Sequence, residues 1–121
     1  MKVIIHTLDG VRVEETNNII CCKADGNLTK IFIFHKNKED RKNYFVSKKL
    51  LKEIELELPK PDFYRCHKSS LINLKFFFKF NVNKNMIILE DGTEIKISRE
   101  KKAKSKEKLI AYIKKYNSLQ K

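Results

Sequence analysis

The sequence contains no tryptophan, only two prolines and three glycines, and no long apolar run. A membrane-spanning helix needs about 20 mostly apolar residues, so the sequence predicts no membrane insertion. Met1 and Lys2 lead into an alternating segment instead of the apolar core of a signal peptide, and the expected location is the cytoplasm. Three cysteines, two of them adjacent at Cys21 and Cys22, do not form a disulfide framework, so reduced thiols are expected.

Signals for catalysis and for cofactors are also scarce. The glycines are far apart and no G-K-[ST] segment occurs, which excludes glycine-rich phosphate loops. Cys66 adjoins His67, but neighbouring residues on a strand point to opposite faces and do not form a nucleophile pair. Together with Cys21 and Cys22 these residues could supply zinc ligands, although no C-x-x-C or H-x-x-x-H spacing is present. We therefore expect no enzyme, cofactor or metal, and keep a thiol or zinc protein as an alternative.

The chain has a large excess of basic over acidic residues. Its 121 residues, of which 41% are hydrophobic, are enough for a single domain over residues 1–121, and 27 Lys and Arg against 15 Asp and Glu give a net charge of +12. Residues 1–59 contain 11 basic and 9 acidic side chains, whereas residues 60–121 contain 16 and 6. This balance favours a polyanionic partner, nucleic acid first, bound mainly by the second half.

Each glycine follows an aspartate, and each Asp-Gly pair lies between segments of strand composition. Asp-Gly between such segments is a strong β-hairpin signal. The pairs are Asp9-Gly10, Asp25-Gly26 and Asp91-Gly92. Further short strands are expected at Phe63–Cys66, Ser70–Leu74 and Phe76–Phe80. The sequence predicts a mainly β fold.

Two helices are predicted beside the strands. Ser47 is placed to cap a helix that continues to about Leu58, with Leu50, Leu51, Ile54 and Leu58 on its apolar face. A basic C-terminal helix is expected over residues 101–119, with Leu109, Tyr112, Ile113 and Tyr116 on the face that docks or dimerises. The polar segment 35–43 is expected to be an exposed loop.

Two basic clusters are candidates for a nucleic-acid contact. One is Arg65 to Ser70, where cations, an imidazole and hydroxyls follow a strand; the other is Arg99 to Lys108, which contains six cations, Lys104 among them. A competing interpretation places single-stranded RNA or DNA on Phe76, Phe78 and Phe80, which share one face of an ideal strand. Apolar residues at strand spacing more often face a core, so the interpretation of this face as core is favoured.

Two ordered motifs resemble the LytTR DNA-binding domain family. Residues 63–74 (FYRCHKSSLINL) are similar to its F-x-R-x-H-[RK]-S-x-[LIV]-[LIV]-N motif, and residues 89–99 (LEDGTEIKISR) are similar to its L-x-[DN]-G…[IV]-S-R motif. Residues 18–27 resemble the first motif of the family, and the resemblance covers about residues 3–112. Lys68 stands where arginine is commoner, which keeps the charge but loses the bidentate fork.

The resemblance implies a fold, a function and a set of site residues. The implied fold is about ten short strands in small antiparallel sheets with one or two helices. The implied function is that of a bacterial transcription regulator, which inserts loops into successive major grooves of double-stranded DNA. The implied partners are paired DNA repeats and a second copy of the chain, as a homodimer on the DNA. Carried over by motif, with neighbouring charged residues added, the DNA-binding residues are Asn27, Thr29, Lys30, His67, Lys68, Ser69, Arg99, Lys101, Lys102 and Lys104.

Overall fold

A computed structural model describes residues 1–34 and 44–119 of the chain. The strands are β1 (Lys2–Thr7), β2 (Gly10–Glu15), β3 (Ile19–Asp25), β4 (Leu28–Ile33), β5 (Tyr44–Ser47), β6 (Phe63–His67), β7 (Ser70–Asn73), β8 (Phe77–Asn81), β9 (Met86–Leu89) and β10 (Glu94–Lys96). The α-helices are α1 (Leu51–Glu57) and α2 (Lys102–Leu119), and short 3-10 turns lie at Thr16–Asn18, Leu74–Phe76 and Arg99–Lys101. The expected mainly β architecture of about ten strands is confirmed. The loop predicted at 35–43 lies outside the described residues.

Seven strands form one sheet and three form another. The larger sheet has the order β2-β1-β5-β4-β3-β7-β6, and the smaller has the order β10-β9-β8, with antiparallel pairing throughout. All three predicted Asp-Gly hairpins are present, as β1-β2, β3-β4 and β9-β10. In the β3-β4 turn, Gly26 has a φ of +61°, a left-handed conformation that glycine adopts without steric cost.

Strand β3, which lies between β4 and β7, contributes side chains to two separate cores. Ile19 and Cys22 pack in a first core with α1, whereas Ile20 and Cys21 pack in a second core with the small sheet and α2. A strand that is covered on both faces has a continuous apolar sequence. The adjacent cysteines fit this pattern because Cys21 and Cys22 face different cores. Helix α2 joins the second core mainly through Leu109, which is 3% exposed.

The first helix begins later than the sequence pattern predicts. Ser47 ends β5, is fully buried, and donates a hydrogen bond from Oγ to the carbonyl oxygen of His6 at 3.0 Å. Its hydroxyl is therefore used between strands and does not cap the helix, which starts at Leu51. Leu50 is 36% exposed and lies before the helix, so the buried face is formed by Leu51, Ile54 and Leu58.

Candidate nucleic-acid interface

Two hairpin turns meet at one edge of the large sheet. The β3-β4 turn contains Gly26 and Asn27, and the β6-β7 turn contains Lys68 and Ser69. The backbone N–H of Ala24 donates to the carbonyl oxygen of Ser69 at 2.9 Å, which joins the two turns through their backbones. The structure therefore brings together two of the three segments to which the family resemblance assigns DNA binding.

The third segment, the 3-10 turn Arg99–Lys101, is attached to the same hairpin. The ammonium group of Lys101 donates to the carbonyl oxygen of Arg65 at 3.1 Å. Three residues into α2, the hydroxyl groups of Tyr64 and Ser105 lie 2.9 Å apart. Farther along the helix, the Tyr112 hydroxyl donates to Asp62 Oδ1 at 3.0 Å, and its burial together with the nearby carboxylate raises the pKa of this phenol. These contacts fix the start of α2 beside the β6-β7 turn.

Arg65 holds the β6-β7 turn from within. Its Nε donates to the carbonyl oxygen of His67 at 3.0 Å, its Nη2 donates to the carbonyl oxygen of Lys68, and its Nη1 donates to Glu55 Oε1 at 2.8 Å. The planar guanidinium is suited to this role because its donors are held in a rigid fork. The basic cluster predicts a general DNA-facing cation at this position, whereas the internal hydrogen bonds of Arg65 have no direct signal in the sequence.

His67 also shapes the turn. Its Nδ1 accepts a hydrogen bond from the backbone N–H of Ser69 at 3.1 Å and lies 2.8 Å from Ser69 Oγ. A backbone N–H can only donate, so Nδ1 is the acceptor and the neutral ring carries its proton on Nε2. His67 is thereby assigned as a donor through Nε2, and the Ser69 hydroxyl, which contacts Nδ1, keeps oxygen lone pairs that can accept a further hydrogen bond.

The predicted site residues differ widely in accessibility. Asn27, Lys68, Arg99 and Lys104 are exposed, whereas Lys30, His67, Ser69, Lys101 and Lys102 are half-buried. Within residues 1–34 and 44–119, Lys68, Arg99 and Lys104 form no ion pair. These three side chains are therefore the cations best placed to meet phosphates.

One predicted contact needs correction, and a second also has a role within the protein. Thr29 is completely buried and its hydroxyl donates to the carbonyl oxygen of Lys49 at 2.8 Å, because β-strand alternation turns it away from solvent. It is a structural residue and cannot reach DNA in this conformation. Lys101 uses one of its three ammonium donors on the Arg65 carbonyl oxygen, which gives it a positioning role, and its contact with DNA stays a prediction.

Lys30 is partly engaged within the protein. Its ammonium group lies 3.6 Å from Asp25 Oδ2 and 5.2 Å from the centre of the Tyr44 ring. An exposed ion pair of this kind is weak, so a phosphate could replace the carboxylate at small cost. Lys30 remains a candidate contact beside the β3-β4 turn.

The three phenylalanines proposed for single-strand binding do not share a face. Phe76 lies in a 3-10 turn, and a β-bulge between Phe77 and Lys79 changes the alternation of β8. Phe76 and Phe80 pack against the second core, whereas Phe78 is 68% exposed. The aromatic platform is therefore absent from β8, and the expectation that all three rings face the core is wrong for Phe78.

The cysteines are structural in the described fold. All three are free and fully buried, with Cys22 in the first core and Cys21 and Cys66 in the second. Burial raises the pKa of the Cys21 and Cys66 thiols to about 12 and raises that of Cys22 as well. Protonated, inaccessible thiols are poor nucleophiles. Because Cys22 lies on the other side of the sheet, the three thiols do not converge on one site.

No helix in the described part of the chain is long and apolar enough to cross a membrane. Likewise, the described residues contain no group of three or more His, Cys, Asp or Glu side chains that could hold a metal ion. The candidate site is thus a set of loops with exposed cations and internal hydrogen bonds, which is the kind of surface that proteins use to contact the phosphates and bases of DNA.

Comparison with known proteins identifies the class. The family model of the LytTr DNA-binding domain matches residues 9–110, and this chain belongs to that family. The fold is also similar to the LytTr DNA-binding domain of a protein described as a methyl-accepting/DNA response regulator from Bacillus cereus. That match has a TM-score of 0.67 and 23% identity, and it covers 90% of this chain and 95% of the other. A search of curated proteins gave no match. In general terms the chain is a DNA-binding regulator.

Proposed function

We propose that this protein is a cytoplasmic transcription regulator that recognises a specific sequence of double-stranded DNA through loops. The β3-β4 turn and the β6-β7 turn enter the major groove, and the start of α2 contacts the adjoining backbone. The proposed contacts are Asn27, Lys30, His67, Lys68, Ser69, Arg99, Lys102 and Lys104. Two copies bind paired repeats, each copy covering one half-site.

The observation that carries this proposal is the joining of the three segments at one edge of the fold. The hydrogen bond from Ala24 to Ser69 and the hydrogen bond from Lys101 to Arg65 hold loops that are far apart in sequence in one arrangement. Pre-arranged loops reduce the ordering cost of binding, because fixing the backbone of one residue costs about 1–2 kcal/mol. The edge is therefore suited to sequence-specific recognition, which depends on fixed positions of donors and acceptors.

The proposed contacts include five cations, which sets the expected salt dependence. If Lys30, Lys68, Arg99, Lys102 and Lys104 each neutralise one phosphate, log K should fall against log salt with a slope of about −4.5 for each bound copy. Occupation of both half-sites should about double that slope. No enzymatic step, cofactor or metal is part of this function.

The test is selection of binding sites from a random double-stranded DNA library at about 150 mM salt, where nonspecific attraction is weakened. We expect a recovered repeat whose spacing places both copies on one face of the duplex. Lys68→Ala should weaken binding to the selected site about tenfold and reduce the slope by about 0.9 if the lysine contacts a phosphate. Lys2→Ala is the matched control, because Lys2 is exposed and lies at the other end of β1 from the turns. Recovery of unrelated sequences would refute sequence-specific recognition.

A further inference from the structure

An apolar groove lies between the middle of α2 and β8, and its first helix residue, Lys106, comes two positions after the proposed DNA contact Lys104. Its volume is about 430 Å³. Its apolar lining consists of Phe77, Phe80, Val82, Leu109, Ile110 and Ile113. Pockets of roughly 300–1,000 Å³ with such a lining are typical binding sites. The remaining two lining residues are Lys106 and Lys114.

The fold leaves this groove uncovered. Ile110, Ile113 and Val82 are 47%, 38% and 47% exposed, whereas Leu109 in the same groove is 3% exposed. Residues 106, 109, 110, 113 and 114 follow the spacing of one helical stripe, so the lysines lie at the two ends of the apolar positions. Contiguous exposed apolar surface with a polar rim marks an interaction site more often than a scattered residue does.

The charges of the groove define the chemistry of its occupant. Lys106 and Lys114 are the only charged side chains of the lining in the described residues, and both are cationic. They are eight residues apart, which is about 12 Å along a helix. A second copy of this chain would bring the same lysines and a charge of +12 toward them, so like charges oppose self-association. DNA lacks the apolar surface needed to fill the groove.

We propose that this groove binds an amphipathic helical segment of a partner protein, with apolar residues on the face that enters and acidic residues beside them. A helix in a groove presents anchors at i, i+3 or i+4, and i+7, and the 12 Å between the lysines corresponds to about two turns. The apolar anchors cover Ile110, Ile113 and Val82, while the carboxylates pair with Lys106 and Lys114.

The test uses the full chain without DNA and a fluorescein-labelled 16-residue peptide of leucine and glutamate with the leucines on one helical face. One control peptide has the same composition with the leucines spread around the helix, and a second has lysine in place of glutamate. Affinity is measured by fluorescence anisotropy, and the site is located by the methyl resonances of the protein. We expect the amphipathic acidic peptide to bind best and to shift the methyl groups of Ile110, Ile113 and Val82.

Surface variants separate groove binding from general attraction. Ile113→Ser should weaken peptide binding about fivefold, because a partly exposed isoleucine contributes about 1 kcal/mol when covered. Lys114→Glu should weaken it about threefold, with a smaller difference at high salt. The matched controls are Val13→Ser and Lys2→Glu, since Val13 is 58% exposed and both residues are far from the groove in the large sheet. These controls should leave the affinity unchanged.

Several results would overturn the proposal. Equal binding of the two acidic peptides would show attraction by charge alone. Shifts of the groove methyl groups on increasing protein concentration would assign the groove to a second copy, and shifts caused only by vesicles of anionic phospholipid would assign it to a membrane. Because the measurements contain no DNA, failure here leaves the proposed DNA-binding function unaffected. Conversely, a failed selection of DNA sites leaves the peptide measurements valid.

Discussion

Arg65 offers the sharpest test of how the recognition loop is held. Its guanidinium donates to the carbonyl oxygens of His67 and Lys68 and to the carboxylate of Glu55. Arg65→Ala removes all three interactions and leaves the β6-β7 turn without its internal support. The question is whether this arginine acts on DNA directly or through the loop.

The expected magnitudes follow from these contacts. The Arg65 and Glu55 side chains are 22% and 26% exposed, so the ion pair is partly screened and contributes about 1 kcal/mol or less to folding. Hydrogen bonds from a charged donor contribute about 1.5–3 kcal/mol each, but water can replace the donor at an accessible turn, so we expect a loss of about 1–2 kcal/mol in the free energy of unfolding. If three turn residues must then be ordered on binding, at about 1 kcal/mol each, DNA affinity falls by up to about 100-fold.

The assay is fluorescence anisotropy with a selected DNA site over a range of salt concentrations, together with urea unfolding. Arg65→Ala should weaken binding while the slope of log K against log salt stays the same, because this guanidinium is used within the protein. Arg65→Lys keeps the charge but not the fork and should behave like Arg65→Ala in affinity. A slope reduced by about 0.9 with unchanged stability would show that Arg65 binds a phosphate, and would refute the positioning role.

Further predictions test the corrected site and the cores. Thr29→Val should leave DNA affinity within about twofold while lowering the free energy of unfolding by about 1 kcal/mol. Asn27→Ala should weaken DNA binding without a loss of stability. Fluorescence anisotropy measures the DNA affinity of each variant, and urea unfolding measures its stability. Asn73→Ala should lower the free energy of unfolding by about 1–3 kcal/mol, because the buried Asn73 amide bonds the Ile19 carbonyl oxygen and the Lys75 N–H. The cysteines should react with a thiol reagent at pH 8 only slowly, and fast in urea; rapid labelling of the native protein would contradict their burial. Stability should fall as the pH rises from about 9 toward 12, because the unfolded thiols lose their protons near 9.0 while Cys21 and Cys66 stay protonated until about 12 in the folded state. Replacing Cys21 and Cys66 with alanine should flatten that decline in urea titrations.

Local signals predicted much of the fold. Asp-Gly turns placed three hairpins because the conformation of these turns depends on two or three residues. The C-terminal helix, expected over 101–119, agrees with α2 at Lys102–Leu119. The family resemblance rested on motif residues and is confirmed by the match over residues 9–110. The order of the strands in the large sheet came from none of these local signals, because it depends on contacts between distant segments.

The errors arose where tertiary contacts override a local pattern. Serine is a common helix-capping residue, but the pairing of β5 with β1 and β4 directs the Ser47 hydroxyl to the carbonyl oxygen of His6. The β-bulge in β8 breaks the period of two on which the shared face of the phenylalanines depended. Thr29 is a DNA contact only by the family resemblance, and its register in β4 points it inward. A bulge and a strand register are set by the partner strand, so the local sequence does not reveal them.

Helix α2 carries residues of both proposed surfaces. Lys104 and Ile113 are nine residues apart, which places them about 14 Å apart along the axis and on opposite sides of the helix. The bonds from Tyr64 to Ser105 and from Tyr112 to Asp62 hold one flank of α2 against β6 and the residue before it, while the groove occupies a different flank. A partner segment in the groove therefore leaves Lys104 free to meet a phosphate, whereas Lys102 lies one turn before Lys106, on the groove side of the helix. We expect the contact of Lys104 with DNA to persist when an acidic amphipathic segment occupies the groove.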